Sequence, residues 1–219
     1  FVFVDLAERP IADYVADAQR AVAAGVELPP GTRIEWAGQF KYLERAKERL
    51  KLVVPVTLLI VVFLLYFHTR SLTETAIVLL AVPFSVVGAV WLLWLLGYNM
   101  SIAVWVGLIA LAGLDAETGL VMLLYLKLAY QRRVDEGRLE SFADLRESIV
   151  EGAAQRIRPK LMAVATTMIG LVPVMWSTGT GADVMKRIAA PMVGGLISSF
   201  LLQLTIYPAI FAIWKRRAD

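Results

Sequence analysis

Cysteine is absent from this chain, so it holds neither a disulfide framework nor a thiolate metal site. Histidine occurs once, at His68, which excludes a multi-histidine metal centre within the chain. An excess of charge is also missing. The net charge is only +3, and no nucleic-acid surface is indicated. The chain opens Phe1-Val-Phe-Val without an initiator Met or a signal peptide, and is expected to be the C-terminal piece of a longer protein. What it has in plenty is apolar: 58% of the residues are hydrophobic, above the usual share of a soluble domain, which places it in the membrane class.

Only residues 1–40 look water-soluble. Phe1–Leu6 alternates with β-branched residues and reads as a strand. After Pro10 the apolar positions Ile11, Tyr14, Val15, Ala18 and Val22 follow helical spacing. Gly25 ends that helix, Pro29-Pro30-Gly31 makes a turn, and Arg33–Phe40 reads as a second strand. This strand–helix–strand unit is too small to bury a core alone. Residues 41–51 are highly charged, with Glu44/Lys47 and Glu48/Lys51 spaced as on a solvated helix, and are expected to form an exposed stalk.

Five apolar runs occupy the rest, residues 52–219. The first is Leu52–Phe67, closed by His68-Thr-Arg70. Ser71-Leu-Thr-Glu74 has the pattern of a capping box and starts a second run through Leu96, which Pro83 is expected to kink. The third is Met100–Leu126. A polar, basic connection over 131–158 follows, in which Ser141-Phe-Ala-Asp144 can start a short amphipathic helix with Phe142, Leu145, Ile149 and Ala153 on one stripe, lying along the membrane surface or against the bundle. Arg158-Pro159-Lys160 then opens a fourth span to Trp176, with Pro in the tolerated first turn. Ser177–Arg187 reads as a loop, and Ile188–Trp214 is the fifth span. The expected fold is a mostly α membrane protein with five transmembrane helices behind a small strand–helix–strand piece.

The third span carries the chemistry. Asp115 and Glu117 lie in an apolar run with no basic residue near them, and Glu117 is about ten residues (~15 Å) from its end, close to a bilayer midplane. A carboxylate at that depth costs at least ~2.5 kcal/mol, so it faces a bundle interior or a water cavity and works there. The bland alternative is a protonated acid that merely knits helices together. Two residues apart, Asp115 and Glu117 point about 200° away from each other and cannot face one partner. Asp115 either joins a second contact in the bundle or is the better-placed proton carrier. Gly107, Ala110, Gly113, Ala116 and Gly119 recur every three residues and drift around the helix, so several neighbours can approach it and it is expected at the centre of the bundle. Gly194/Ser198 and Gly195/Ser199 have close-packing spacing in the fifth span.

Twelve Lys and Arg flank the spans at the 68–71 turn, the 127–160 connection and the tail, against two on the opposite side. This bias puts the tail in the cytoplasm. The five basic residues of 41–51 run against it, next to a folded domain where the rule is weaker.

Several ordered stretches are shared with one transporter family: Pro30-Gly31-Thr32, Gly38-Gln39-Phe40, Leu43-Glu44-Arg45-Ala46, Ala110-Leu-Ala-Gly113, Arg156–Lys160, Trp176-Ser-Thr-Gly179 and Arg187-Ile-Ala-Ala-Pro-Met192. On these the chain resembles the heavy-metal efflux branch of the resistance-nodulation-division (RND) transporters, closest to the copper/silver exporters. The resemblance implies a twelve-helix fold of two repeats, of which this chain would be the end of a periplasmic porter subdomain plus helices eight to twelve. It implies a bacterial inner-membrane location with the N-terminal part periplasmic, and a homotrimer working with a periplasmic adaptor and an outer-membrane channel. It also implies export of Cu(I) or Ag(I) as transported substrate, driven by protons, with no resident cofactor.

By the same resemblance Glu117 matches the proton-carrying glutamate of that branch and Lys160 its relay lysine. A desolvated carboxylate and a nearby ammonium shift each other's protonation, so making and breaking the pair gates a proton. Read by position alone, Lys160 is a snorkelling lysine at a helix end. Thr167, seven residues on along the same face, could carry a hydroxyl link, or simply bond its own helix. Met185, in the outer loop, matches a methionine that passes metal toward the porter, and Met175 and Met192 lie near the same surface. Thioether sulfur suits Cu(I) and Ag(I), although most methionines simply fill gaps.

The rivals are a divalent-metal pump and a multidrug pump of the same fold. The multidrug pumps usually have Lys-Asn where this chain has Glu117-Thr118. A non-transporting structural module would need no costly acid, so Glu117→Gln should leave it intact. An intramembrane hydrolase would need a nucleophile beside a base, and His68 lies far in sequence from any buried serine. No enzymatic activity is expected.

Overall fold

The computed structural model describes residues 2–4, 11–26, 29–32, 34–138 and 141–218. It separates into two compact units, residues 1–56 and 57–219. In the first, α1 (Ile11–Gly25) buries Val15. Gly31 closes the Pro29–Thr32 turn at φ +84°, a backbone state that glycine enters without the Cβ penalty. The two expected strands do not form among the described residues. Val2–Val4 adopts no regular secondary structure, with Val2 and Phe3 almost fully exposed. Residues 34–37 are irregular, and Gln39 and Phe40 already begin α2 (Gln39–Thr69). A strand is held by a neighbour's N–H and C=O groups, and alternation alone supplies none; Phe1, Asp5, Leu6 and Arg33 lie outside the described residues. The charged stretch 41–51 is helical and mostly exposed, as its i,i+3 spacing suggests, but it is continuous with the first apolar run.

The second unit starts within α2 and contains α3 (Leu72–Leu79), α4 (Ala81–Leu95), α5 (Ile102–Asp135), α6 (Phe142–Met175) and α7 (Ala182–Ala218). Five helical segments are long and apolar enough to cross a membrane, with α3 and α4 together forming one of them. Pro83 explains the break at Leu80, because it has no N–H for the carbonyl of Leu79 and its ring crowds that carbonyl. At the break, the Val78 carbonyl accepts the hydroxyl of buried Tyr207 from α7 at 2.8 Å. The box at the start of α3 is half made. Ser71 caps the Glu74 N–H at 3.4 Å, while the Glu74 carboxylate turns to Lys127 of α5 at 2.8 Å. Ser141 and Asp144 cap α6 reciprocally, at 3.3 and 2.8 Å.

Three helices run further than their apolar stretches. α5 continues to Asp135, α7 begins at Ala182, and α6 fuses the expected amphipathic helix with the fourth span. Pro159 therefore lies inside α6, not in a first turn. The amphipathic stripe is real at Leu145 and Ile149, which are buried, whereas Phe142 is exposed beneath the Arg216 guanidinium.

As expected from its small residues, α5 is central and packs against α3, α4, α6 and α7. α7 is approached closely by α5, where a Cβ on Gly107 would lie 2.4 Å from the Ile188 carbonyl oxygen, and by α4. A Cβ on Gly88 would lie 2.5 Å from the Gly194 carbonyl oxygen, and one on Gly194 would lie 2.5 Å from that of Gly88. Only glycine permits main chain to meet main chain there. The core on either side is aliphatic: Leu111, Val104 and Leu196 toward one end, Leu123, Leu126 and Phe211 toward the other.

Candidate functional site

Because α5 is enclosed by its neighbours on one side and bare on the other, its two acids have opposite fates. Asp115 is 1% exposed. Glu117 is exposed and makes no hydrogen bond or ion pair among the described residues. It shares its face with Ala110 and Gly113, which are also exposed.

Lys160, one residue past Pro159 on α6, is 2% exposed. It points into the bundle and does not snorkel to its edge. Its ammonium donates to Gln203 Oε1 on α7 and lies 5.8 Å from the centre of the Phe200 ring. Gln203 Nε2 donates to Ser199 Oγ at 3.1 Å and to Thr118 Oγ1 at 3.3 Å. The Ser199 hydroxyl in turn donates to Asp115 Oδ1. Every donor in the series Lys160–Gln203–Ser199 faces Asp115, so the chain conveys the cation's polarity to the carboxylate without direct contact. Ser85 of α4, fully buried, flanks the same carboxyl. Its hydroxyl donates to the Val82 carbonyl at 2.9 Å, and Asp115 Oδ2 is left without a hydrogen-bond partner.

Beside this chain lies a cavity of about 30 Å³ lined by Thr118, Lys160, Thr167, Ser199 and apolar neighbours from α5, α6 and α7. Its wall is mostly apolar, with Thr118, Lys160, Thr167 and Ser199 as the polar side chains, and its volume exceeds the roughly 10–15 Å³ that one water occupies. Thr167 faces it, although its hydroxyl donates to the Ala163 carbonyl of its own helix at 2.9 Å.

The structure thus brings together Lys160, Asp115 and Thr167. The Glu117–Lys160 pair expected from the resemblance is not formed within this chain. Met185 is in the first turn of α7, not in a loop, and is exposed. Ser199 stood out in the sequence only as a small residue, and Gln203 not at all. A glutamine in the middle of an apolar span, four residues after a serine, was the available signal, because a polar side chain there needs a partner.

With that geometry in view, the comparisons are specific. The model of the AcrB/AcrD/AcrF family matches residues 2–215. The cation efflux system protein CusA of Escherichia coli (strain K12) is 44% identical over 220 residues, covering 99% of this chain and 21% of that protein. The nickel-cobalt-cadmium resistance protein NccA of Alcaligenes xylosoxydans xylosoxydans is 38% identical over 217 residues, 99% of this chain and 19% of that protein. A crystal structure of a heavy metal efflux pump (crystal form II) superposes with a TM-score of 0.79 at 29% identity, over 96% of this chain and 20% of that one. The chain spans about a fifth of the length of the relatives it matches.

Proposed function

The chain belongs to the AcrB/AcrD/AcrF family, and from that premise we propose that it is part of a multi-pass inner-membrane pump that exports monovalent heavy-metal cations, Cu(I) or Ag(I), in exchange for protons. The observation that carries this reading is Lys160. An ammonium buried among apolar spans and tied to a carboxylate through side chains is costly to build and is the arrangement a proton-driven machine needs. Glu117 supports it from the other face of α5. A mid-membrane carboxylate on a bare helix face requires cover, and Ala110 and Gly113 let another helix come close. In this reading protons are relayed through Glu117 and Lys160, which act from different sides of α5, and Glu117 meets a partner from outside this chain.

Residues 1–40 then end a periplasmic porter subdomain, 41–51 form its stalk, and the C-terminus is cytoplasmic. The working pump is a homotrimer with a periplasmic adaptor and an outer-membrane channel. Thioether chemistry favours the monovalent ions, and Met185, exposed at the start of α7, is placed to hand metal on.

A resistance assay in an efflux-deficient bacterium tests this, with the full-length parent, Glu117→Gln and Lys160→Met at matched expression against Cu, Ag, Zn and a dye. Resistance to Cu or Ag alone, lost in both variants and lost on dissipating the proton gradient, is the expected result. Zn resistance would move the substrate to the divalent class, which the similarity to a nickel-cobalt-cadmium resistance protein keeps as the second reading. Full resistance in Glu117→Gln would end its role.

A further inference from the structure

We propose that Asp115 is a second, internal proton-binding carboxyl, separate from Glu117 and wired to Lys160 by Ser199 and Gln203. This rests on the proton-driven reading and adds to it a site facing the α4–α7 side of α5. Asp115 is 1% exposed, and its two oxygens have different surroundings. Oδ1 accepts the Ser199 hydroxyl, which suits the ionised form. Oδ2 has no hydrogen-bond partner, which is costly for a buried acceptor. A proton passed on by Ser199 arrives on Oδ1, and a half-turn of the carboxyl then carries the O–H to the other side of the group, where it can donate to an oxygen such as that of Ser85.

The cavity supplies the route. A hydronium there gives a proton to Ser199 Oγ while the original Ser199 hydroxyl proton passes to the carboxyl, leaving water in the cavity and a neutral acid at Asp115. The net charge of the site rises by one. Lys160 keeps its own proton, but the carboxylate that its hydrogen-bond chain was oriented toward has become neutral. It is then free to swing from Gln203 into the cavity, past Thr118 and Thr167. The charged and titratable groups around Asp115 are few: Lys160, with Arg156 beyond it, on α6, and Tyr207 on α7. The Tyr207 hydroxyl is committed to the Val78 carbonyl. From α4, only the neutral Ser85 faces it.

The test is infrared difference spectroscopy of the purified full-length parent in lipid, stepped from alkaline to acidic buffer. Asp115→Asn preserves the shape of the side chain and cannot titrate. The expected result is a protonated-carboxyl C=O band that is absent from Asp115→Asn, retained in Glu117→Gln, and displaced in Ser199→Ala, where the carboxyl has lost a hydrogen bond. Gln203→Glu, which offers Lys160 a direct counter-charge, is expected to keep the band while blunting its response to Lys160→Met. An identical band in Asp115→Asn overturns the proposal, as does a Ser199→Ala band that does not move. Neither result touches the resistance data for Glu117 and Lys160. Failure of proton coupling itself appears separately, as wild-type resistance that survives an uncoupler.

Discussion

At the scale of single residues, the site depends on an amide. Gln203 is fully buried and hydrogen-bonds to Lys160, Ser199 and Thr118 together. Gln203→Leu is expected to leave the ammonium and the Ser199 oxygen short of partners and to destabilise the full-length parent by about 1–3 kcal/mol, read as a lowered midpoint in thermal unfolding. Gln203→Glu should lose much less. The sequence exposes the acids plainly, since a carboxylate in an apolar run is conspicuous, and helical geometry separates Asp115 from Glu117. Which of them faces inward was not legible. Small residues occur on several sides of α5, and burial was decided by where α4 and α7 chose to approach. Lys160 was ambiguous for a related reason, because position alone cannot tell a lysine that reaches outward from one that turns in.

At the scale of elements, α5 and α6 are tied together beyond their apolar lengths. Arg133, nearly buried, reaches Glu147 at 3.0 Å and Glu151 at 3.3 Å, while Gly152 lets α6 lie against α5, where a Cβ would sit 2.9 Å from the Tyr125 carbonyl oxygen. Gly152→Val is expected to cost about 1–3 kcal/mol through overpacking. Glu151→Gln should weaken the tie more than Glu147→Gln, because Glu147 is the more exposed partner and water screens it more. Hydrogen exchange around the α5–α6 connection reads both. The existence of every apolar helix was legible from hydropathy, and Pro83 marked its break. The ends were not. Composition turns polar where the surroundings of a helix change, yet the backbone ladder continues as long as caps and side-chain pairs such as Ser141–Asp144 and Arg133–Glu151 support it. The strands failed for the opposite reason: alternation is local, but a strand's partner is not.

At the scale of the whole molecule, the bare face of α5 is the clearest statement about what else the parent contains. Its own turn of helix aside, none of the described residues has an atom within 4 Å of a Cβ built on Gly113, so Gly113→Leu disturbs no packing between these helices. In the full-length parent it is expected to lower the unfolding midpoint and resistance together, since the proposed pump covers Glu117 with a helix from elsewhere. An unchanged parent would show that face to be lipid-exposed. The sidedness has its own check. Fluorescent-protein fusions after Trp214 should be bright and alkaline-phosphatase fusions there inactive, the pattern for a cytoplasmic end. The seam of Gly88 against Gly194 bears on how such a machine moves. Main chain in contact with main chain has no rotamers to exchange and no slack to take up, so α4 and α7 behave as a single plank. Gly107 ties α5 to the same plank, since a Cβ there would lie 2.4 Å from the Ile188 carbonyl oxygen of α7. In the proposed pump, a stroke that begins with Lys160 letting go of Gln203 is therefore made by α6 travelling against α4, α5 and α7, and the work of each proton goes into sliding, not bending.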